Sequence, residues 1–156
     1  MIHSFGYSYS DLKPENIVAR LFSKCPDHGK GINPASIKFS LIDLGMSSKM
    51  ADFGRNQQNK SFRGNYMFAS CEKFINGRSR TIDDVYSLMC SAFYFIYQTL
   101  PWLDQIRNSQ KKGLNHKLYE FKVFKNLRLQ YSSRHDQQLV KGSGELSDLF
   151  KYVIQR

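Results

Sequence analysis

The sequence predicts an α+β fold that is mainly helical, with helices packed around one central buried helix and with a small β-hairpin. Three observations carry this prediction. Residues 79–98 repeat apolar side chains at the spacing of a helix face. Residues 144–156 show a similar amphipathic pattern near the end of the chain. Two short β-prone stretches, 17–22 and 37–42, are separated by a loop rich in glycine and proline.

Composition indicates one folded domain and excludes several classes of protein. The chain has 156 residues, of which 41% are hydrophobic, enough for one core. No apolar run approaches the roughly 20 residues of a membrane helix, and residues 1–4 do not resemble a signal peptide. Cys25, Cys71 and Cys90 are scattered, which argues against a disulfide framework, and Cys25 with His28 lacks a second pair for zinc. We expect an intracellular protein, cytoplasmic or nuclear, with no membrane partner.

The charge of the chain is strongly positive, with 23 Lys and Arg against 13 Asp and Glu. Such an excess suggests nucleic acid as a partner. However, the basic residues are spread along the whole chain, and no basic helix or RNA-binding signature is present. An acidic or phosphorylated protein substrate explains the charge equally well, as does solvation of the surface. We therefore expect no nucleic-acid partner.

The stretch from Tyr9 to Asn16 places an acid, a base and an amide within six positions: Asp11, Lys13 and Asn16. Pro14 fixes its own φ and pushes Lys13 out of the helical region, which predicts a rigid loop. Phosphoryl transfer needs such a set, because a carboxylate orients the hydroxyl, a cation lies near the moving phosphate and an oxygen binds magnesium. The alternative is a surface turn that happens to carry these residues.

The second β-prone stretch alternates apolar and polar residues and leads directly into Asp43 and Gly45. A carboxylate that follows a buried strand and precedes a flexible glycine suits a magnesium ligand beside a mobile segment. A competing candidate for the magnesium ligand is Asp52, which, like Asp43, is followed two positions later by a glycine, in the tripeptide D-F-G. The residues before Asp52 alternate poorly, whereas Asp43 has a clear strand behind it, and this favours Asp43.

Residues 79–98 are the clearest helix of the sequence. Thr81 is the expected N-cap, and Asp83 and Asp84 lie in the first turn, where they face the positive end of the helix dipole. The predicted apolar face consists of Val85, Leu88, Met89, Ala92, Phe93 and Ile96.

Later segments add further helices. We expect helices over residues 103–112, 117–130 and 144–156, because each contains apolar residues at mostly helical spacing. Residues 132–144 are polar and rich in turn-forming residues, which predicts a connecting segment.

These segments together resemble eukaryotic protein kinases, in particular the casein-kinase-I-like group. Tyr9–Asn16 resembles the catalytic loop H-R-D-x-K-P-x-N, with Tyr9 and Ser10 in place of His and Arg. Other segments are similar to kinase elements in the family's order: residues 42–45 to D-F-G, 64–70 to GTARYAS, 79–88 to SRRDDLESL, and 100–102 to LPW. By this resemblance, residues 1–156 are a partial kinase domain, a C-terminal lobe whose small hairpin carries the metal-binding Asp, with the N-terminal lobe missing.

The resemblance implies ATP and Mg²⁺ as cofactors and a protein as substrate. It implies that Asp11 orients the substrate hydroxyl and accepts its proton, and that Lys13 offsets charge on the γ-phosphate. Asn16 and Asp43 are the implied ligands of magnesium, and through it of the nucleotide. The implied structural supports are Gly64, Glu72 and Asp84, of which Asp84 holds the backbone of the catalytic loop. The implied substrate groove contains Asn65, Tyr66, Arg78 and Arg80.

The function implied by the resemblance is that of a protein serine/threonine kinase, present as a truncated lobe. We expect no useful turnover from this chain alone, because a kinase N-terminal lobe supplies half of the nucleotide clamp and no G-x-G-x-x-G occurs in the sequence. The edge next to the missing parts should be apolar and exposed. The alternative function is a pseudokinase-type module that binds protein partners through the same groove.

Overall fold

A computed structural model of the protein describes residues 2–22, 34–50, 62–77, 80–103 and 121–155. The helices of this part are α1 (Cys71–Asn76), α2 (Thr81–Tyr97), α3 (Phe121–Gln130), α4 (Ser132–Gly142) and α5 (Ser147–Ile154). The strands are β1 (Tyr7–Ser8), β2 (Ile17–Leu21), β3 (Ile37–Leu41) and β4 (Ser48–Lys49). Helix predominates, which confirms the predicted mainly helical α+β class. No helix of the described part is both long and apolar enough to cross a bilayer.

The four strands form two separate antiparallel pairs, β1 with β4 and β2 with β3. In the second pair Ile17 lies opposite Leu41, so the two stretches predicted to be strands do pair with each other. The expectation that the second strand is buried is wrong, since residues 38–41 are exposed. The physical reason is that a two-stranded sheet covers neither of its own faces and must be covered by another element.

Helix α2 is the central helix of the described part. Its core side carries Tyr86, Met89, Cys90 and Phe93. Thr81 was expected to be the N-cap, and this is wrong: Thr81 is the first helical residue, and Arg80 is the N-cap. The Asp83 carboxylate accepts a hydrogen bond of 2.7 Å from the Arg80 N–H. An acid inside the first turn therefore caps the start of the helix, the role that was expected of Thr81.

The predicted apolar face of α2 is divided between two environments. Met89 and Phe93 enter the core, whereas Leu88 is 45% and Ile96 is 63% exposed. The exposed part joins strand β3 in lining an apolar groove of about 560 Å³, whose walls include Leu12, Ile17, Phe39, Leu41 and Phe95. An exposed apolar groove therefore lies between α2 and the β2–β3 pair.

The structure corrects the prediction for residues 132–144, because most of this segment is helix α4 rather than a connection. His135 and Leu139, one helical turn apart, are its buried residues and pack into the core. Two buried positions among polar neighbours are too weak a pattern to predict a helix from period alone. The partners of His135 and Leu139 therefore specify the helix more strongly than its own composition does.

An arginine occupies the centre of the core. Arg128 is 0% exposed, and its guanidinium carbon lies 3.6 Å from the centroid of the Trp102 ring. One terminal nitrogen donates to the Ala69 carbonyl at 3.2 Å and to the Tyr86 hydroxyl oxygen at 3.1 Å. The other lies 3.3 Å from Nδ1 of His135, whose pKa is lowered to about 4 by burial and by the Arg128 charge. A neutral histidine can accept from the guanidinium, so the network joins α2, α3, α4 and the segment before α1.

Candidate active site

The loop that contains Asp11 is extended and ends in a single 3-10 turn. Lys13 is fully extended, with φ −153° and ψ 162°, and Pro14 begins the turn Pro14–Asn16. Proline suits the first position of such a turn, since it needs no N–H donor there. This local structure turns the chain so that Asn16 returns toward Asp11 immediately before strand β2 begins at Ile17.

Asp11 is the centre of a compact hydrogen-bonded cluster and is 6% exposed. Its Oδ2 accepts from Lys13 Nζ at 2.9 Å and from Asn16 Nδ2 at 3.2 Å, while Oδ1 accepts from the Asn65 N–H at 2.6 Å. Asn16 Nδ2 also donates to the Asp11 carbonyl at 3.0 Å. The hydrogen bond that Lys13 donates to Asp11 raises the pKa of Lys13, so the ammonium stays charged at neutral pH. The carboxylate is therefore held from three directions.

Asp43 lies beside this cluster, two positions beyond the β2–β3 ladder, which ends at Leu41. The Ile42 N–H donates to the Asn16 carbonyl at 3.1 Å, which brings the residue before Asp43 next to the loop. Asp43 has a left-handed backbone, with φ 59°, and its Oδ1 accepts from the Gly45 N–H at 3.2 Å. Its negative charge adds to the raised pKa of Lys13, after the larger contributions from Asp11 and Glu15. Asp11, Lys13, Asn16 and Asp43 thus lie on one side of the molecule.

Tyr9 connects the loop to the segment of Asp43 through its side chain. The ring is fully buried, and its hydroxyl donates a hydrogen bond to the Ile42 carbonyl. Burial, followed by the charge of Asp11, raises the pKa of this hydroxyl, which keeps it protonated as a donor. Tyr9 stands in place of the histidine of the H-R-D-x-K-P-x-N pattern. At this position the tyrosine connects the loop to the segment before Asp43 by a hydrogen bond of its own side chain.

Asp84 holds the loop from the first turn of α2. Its Oδ2 accepts from the Tyr9 N–H at 2.7 Å and from His3 Nε2 at 2.9 Å, and its Oδ1 accepts from the Ser10 N–H at 2.9 Å. Ser10 has φ 71°, a left-handed conformation that costs a residue with a side chain about 1 kcal/mol or more. The two hydrogen bonds that the Tyr9 and Ser10 N–H groups donate to Asp84 offset that cost and determine the direction in which the chain enters Asp11.

Lys73 is a functional-site residue that sequence reasoning missed. It is 4% exposed, and its Nζ donates to the Ser10 carbonyl, one residue before Asp11. Nζ also lies 5.2 Å from the centroid of the Phe62 ring. Gly64 makes this approach possible, because a Cβ there would overlap the Ser10 carbonyl and crowd Lys73 Nζ, and because its φ is 95°. A buried lysine on a short helix has no local signature, so only its spatial neighbours identify it.

The burial of Lys73 predicts a pH-dependent contribution to stability. Burial lowers the pKa of this ammonium below its ordinary value of 10.5. Between the lowered pKa and 10.5 the unfolded chain binds more protons at this position than the folded protein, so the folded state gains stability as pH rises. We expect the difference in free energy of unfolding, wild type minus Lys73→Met, to rise with pH toward 10.5 in urea titrations. The same difference for Lys73→Arg minus Lys73→Met should not rise, because arginine stays charged throughout this pH range. If the difference between wild type and Lys73→Met does not change with pH, the prediction is wrong.

Comparison with known proteins identifies the family to which the chain belongs. A family model described as a protein kinase domain matches residues 1–156. The chain belongs to the protein kinase family. The kinase chain is also 26% identical over 113 residues to casein kinase I homolog 3 of Saccharomyces cerevisiae. The match covers 65% of this chain and 22% of the yeast protein, so the chain corresponds to about a fifth of that relative. These findings confirm the predicted resemblance to casein-kinase-I-like kinases.

The residues for which the family resemblance implied a substrate groove do not lie together in the described part of the structure. Asn65 contacts Asp11 through its backbone N–H, while its side-chain oxygen accepts from the Met67 N–H at 2.8 Å. The Tyr66 ring packs edge-on against Phe124 at 5.0 Å, which places it against the core. Asn65 therefore contacts the loop through its backbone and not through the side chain that replaces the family threonine.

Arg80 and Glu72 are also separated from the Asp11 cluster. Arg80 pairs with Asp83 at 3.2 Å and lines a cavity that contains none of the cluster residues. Arg78 lies outside the described residues, as does the competing candidate Asp52. Glu72 is exposed, and its carboxylate accepts from Asn76 Nδ2 at 3.0 Å within α1. The residue of α1 that contacts the loop is Lys73 rather than Glu72.

The oxygen atoms near Asp11 suit the magnesium ion that protein kinases use with ATP. Asn16 Nδ2 donates to the Asp11 carbonyl and to the Asp11 carboxylate, and the same amide group carries Oδ1, which is an acceptor. Asp43 likewise has a second carboxylate oxygen beyond the one bonded to Gly45. No group of three or more His, Cys, Asp or Glu side chains that could hold a metal occurs in the described part of the chain. One carboxylate and one amide fit an ion that also keeps phosphate and water ligands.

Proposed function

We propose that the chain is the C-terminal-lobe part of a protein serine/threonine kinase of the casein-kinase-I-like group, which transfers the ATP γ-phosphate to a protein hydroxyl. The observation that supports this proposal is the hydrogen-bonded cluster of Asp11, Lys13 and Asn16, together with the hydrogen bond from the residue before Asp43 to Asn16. Two independent segments supply these residues, and the Ile42–Asn16 and Tyr9–Ile42 hydrogen bonds join the segments. Such positioning accounts for most of the catalysis in phosphoryl transfer.

In this proposal each side chain has a separate task. Asp11 orients the substrate hydroxyl and accepts its proton, while the Asn65 N–H and Lys13 keep the carboxylate in place. Lys13 remains cationic and offsets negative charge on the transferred phosphate. Asn16 and Asp43 hold magnesium, which neutralises charge on the phosphates of bound ATP. Asp84 and Lys73 act on the backbone of Tyr9 and Ser10 and so position Asp11 without touching substrate.

The substrate proposed for the kinase is an acidic or phosphorylated protein. The formal charge of +10 favours association with such a partner by general electrostatic attraction. We propose that the chain alone has negligible turnover, since its sequence contains no glycine-rich phosphate-binding motif and it corresponds to only 22% of the yeast relative. An intracellular location, cytoplasmic or nuclear, is part of the same proposal.

A chimera tests the proposed chemistry. The chain is fused behind the N-terminal lobe of the yeast casein kinase I homolog, and phosphate transfer from ATP to casein is measured with magnesium. We expect turnover that falls by about a hundredfold or more in Asp11→Asn, because that variant removes the proton acceptor but keeps a hydrogen-bonding side chain. Asp148→Asn, an exposed position on α5, is the matched control and should retain full activity.

The chimera also separates the kinase from the pseudokinase-type binding module. A folded chimera that binds casein but transfers no phosphate supports the binding module and contradicts the proposed catalysis. A chain that phosphorylates casein efficiently without the added lobe contradicts the proposed dependence on that lobe.

A further inference from the structure

A second cavity lies away from the Asp11 cluster, under helix α1. Its volume of about 450 Å³ is within the range of small-molecule binding sites. Its apolar walls come from α1, α2, α3 and α5 and include Ile75, Ile82, Leu129, Val153 and Ile154. Helix α4 also contributes to the lining, so the cavity is assembled from five helices, and it contains none of the proposed catalytic residues.

The charged groups that line this cavity are mostly acidic. Glu72, Asp83 and Asp136 contribute carboxylates to the lining, whereas Arg80 contributes the only guanidinium among the lining residues. Arg80 is already matched, because its Nε lies 3.2 Å from Asp83 Oδ2. Asp83 is fully engaged as well, since Oδ1 also accepts from the Ser70 hydroxyl at 2.6 Å. An anionic ligand would thus have to displace an existing ion pair.

Asp136 is the acidic group with remaining capacity. Its Oδ1 accepts a hydrogen bond from the Tyr86 hydroxyl at 3.0 Å. Among the described residues, no other hydrogen bond to this carboxylate is found. The carboxylate is half-buried, and burial raises its pKa. A partly desolvated carboxylate with a free oxygen at the wall of an apolar cavity gains more from a nearby cation than an exposed one does.

We propose that this cavity binds a small organic cation, with an apolar body between the isoleucine and leucine side chains and a protonated amine on the free oxygen of Asp136. The volume fits a body of drug-fragment size, and the charge of the lining selects an amine over an acid. This proposal does not rest on the kinase function, because it uses no residue of the Asp11 cluster.

The probe is 4-phenylbutylamine, with the neutral 4-phenylbutanol and the anionic 4-phenylbutyrate as matched compounds. Binding to the 156-residue chain is followed by NMR of labelled isoleucine methyl groups. Ile75, Ile82 and Ile154 line the proposed site, whereas Ile17 and Ile96 line the apolar groove and report non-specific binding. We expect the amine to shift the first three methyl signals and the alcohol to bind about tenfold more weakly. The acid should cause no shift at these three positions.

Two variants make the test specific. Asp136→Asn keeps an oxygen that accepts from Tyr86 but removes the charge, and it should weaken amine binding about tenfold without altering alcohol binding. Ser132→Trp fills the cavity from the start of α4 and should abolish binding of the amine. Equal binding of amine and alcohol, unchanged amine binding by Asp136→Asn, or shifts confined to Ile17 and Ile96 would each overturn the proposal.

Discussion

Arg128→Ala is expected to lower the free energy of unfolding by about 3–5 kcal/mol, a large fraction of the stability of an ordinary domain. The guanidinium is completely buried and donates to the Ala69 carbonyl and the Tyr86 hydroxyl. Alanine leaves both acceptors buried without a donor, removes the stacking on Trp102 and opens a cavity in the core. Equilibrium unfolding in urea, followed by the fluorescence of Trp102, measures the loss.

The matched control for this variant is Arg134→Ala, which removes an exposed arginine from the next helix and should leave the urea midpoint unchanged. Arg128→Met separates the roles of charge and volume. It fills most of the space but makes no hydrogen bonds, so its stability should lie between those of wild type and Arg128→Ala. A urea midpoint for Arg128→Ala equal to that of Arg134→Ala would show that the buried network does not stabilise the core.

Asp84→Ala is expected to destabilise the fold by about 2–6 kcal/mol and to release the loop that carries Asp11. The carboxylate is 3% exposed and accepts from the N–H groups of Tyr9 and Ser10. Each buried N–H left without an acceptor costs about 1–3 kcal/mol, and Ser10 also loses the contact that offsets its left-handed backbone. Urea unfolding measures the global effect, and amide hydrogen exchange at Tyr9 and Ser10 measures the local one.

Asp148→Ala serves as the control for Asp84, because its carboxylate pairs with Lys151 on the exposed face of α5. It should leave amide exchange at Tyr9 and Ser10 unchanged. In Asp84→Ala these two amides should exchange faster than the amides of β2, which keep their partners in β3. If the Tyr9 and Ser10 amides stay protected while the whole protein becomes less stable, the proposed role of Asp84 in holding the loop is wrong.

The parts of the fold that sequence reasoning predicted are those with strong local signals. Residues 17–21 are rich in β-prone side chains, residues 37–41 alternate apolar and polar side chains, and α2 repeats apolar residues from Val85 to Ile96. Pro14 restricts the loop directly, whatever surrounds it. The spacing of Asp11, Lys13 and Asn16 is likewise local, since a single turn brings all three into one hydrogen-bonded cluster.

The parts that sequence reasoning missed depend on contacts between distant segments. Helix α4 has only two buried residues in its pattern, and it is stabilised by their contacts with Arg128 and the core. Lys73 is polar in sequence, yet Gly64 and the Ser10 carbonyl accommodate it in the interior. The division of α2 between core and groove is also invisible to a periodic pattern, because both sides are apolar.

The sequence by itself determined the class of the fold, the extended loop around Pro14 and the chemical types assembled at Asp11, because short-range backbone preferences and side-chain spacing act within a few residues. Only the tertiary structure decided how that loop is held, with Asp84 on one side, Lys73 on another and the Tyr9 hydroxyl reaching Ile42. Burial is the physical reason: a polar group removed from water must find a partner, and that partner can come from anywhere in the chain.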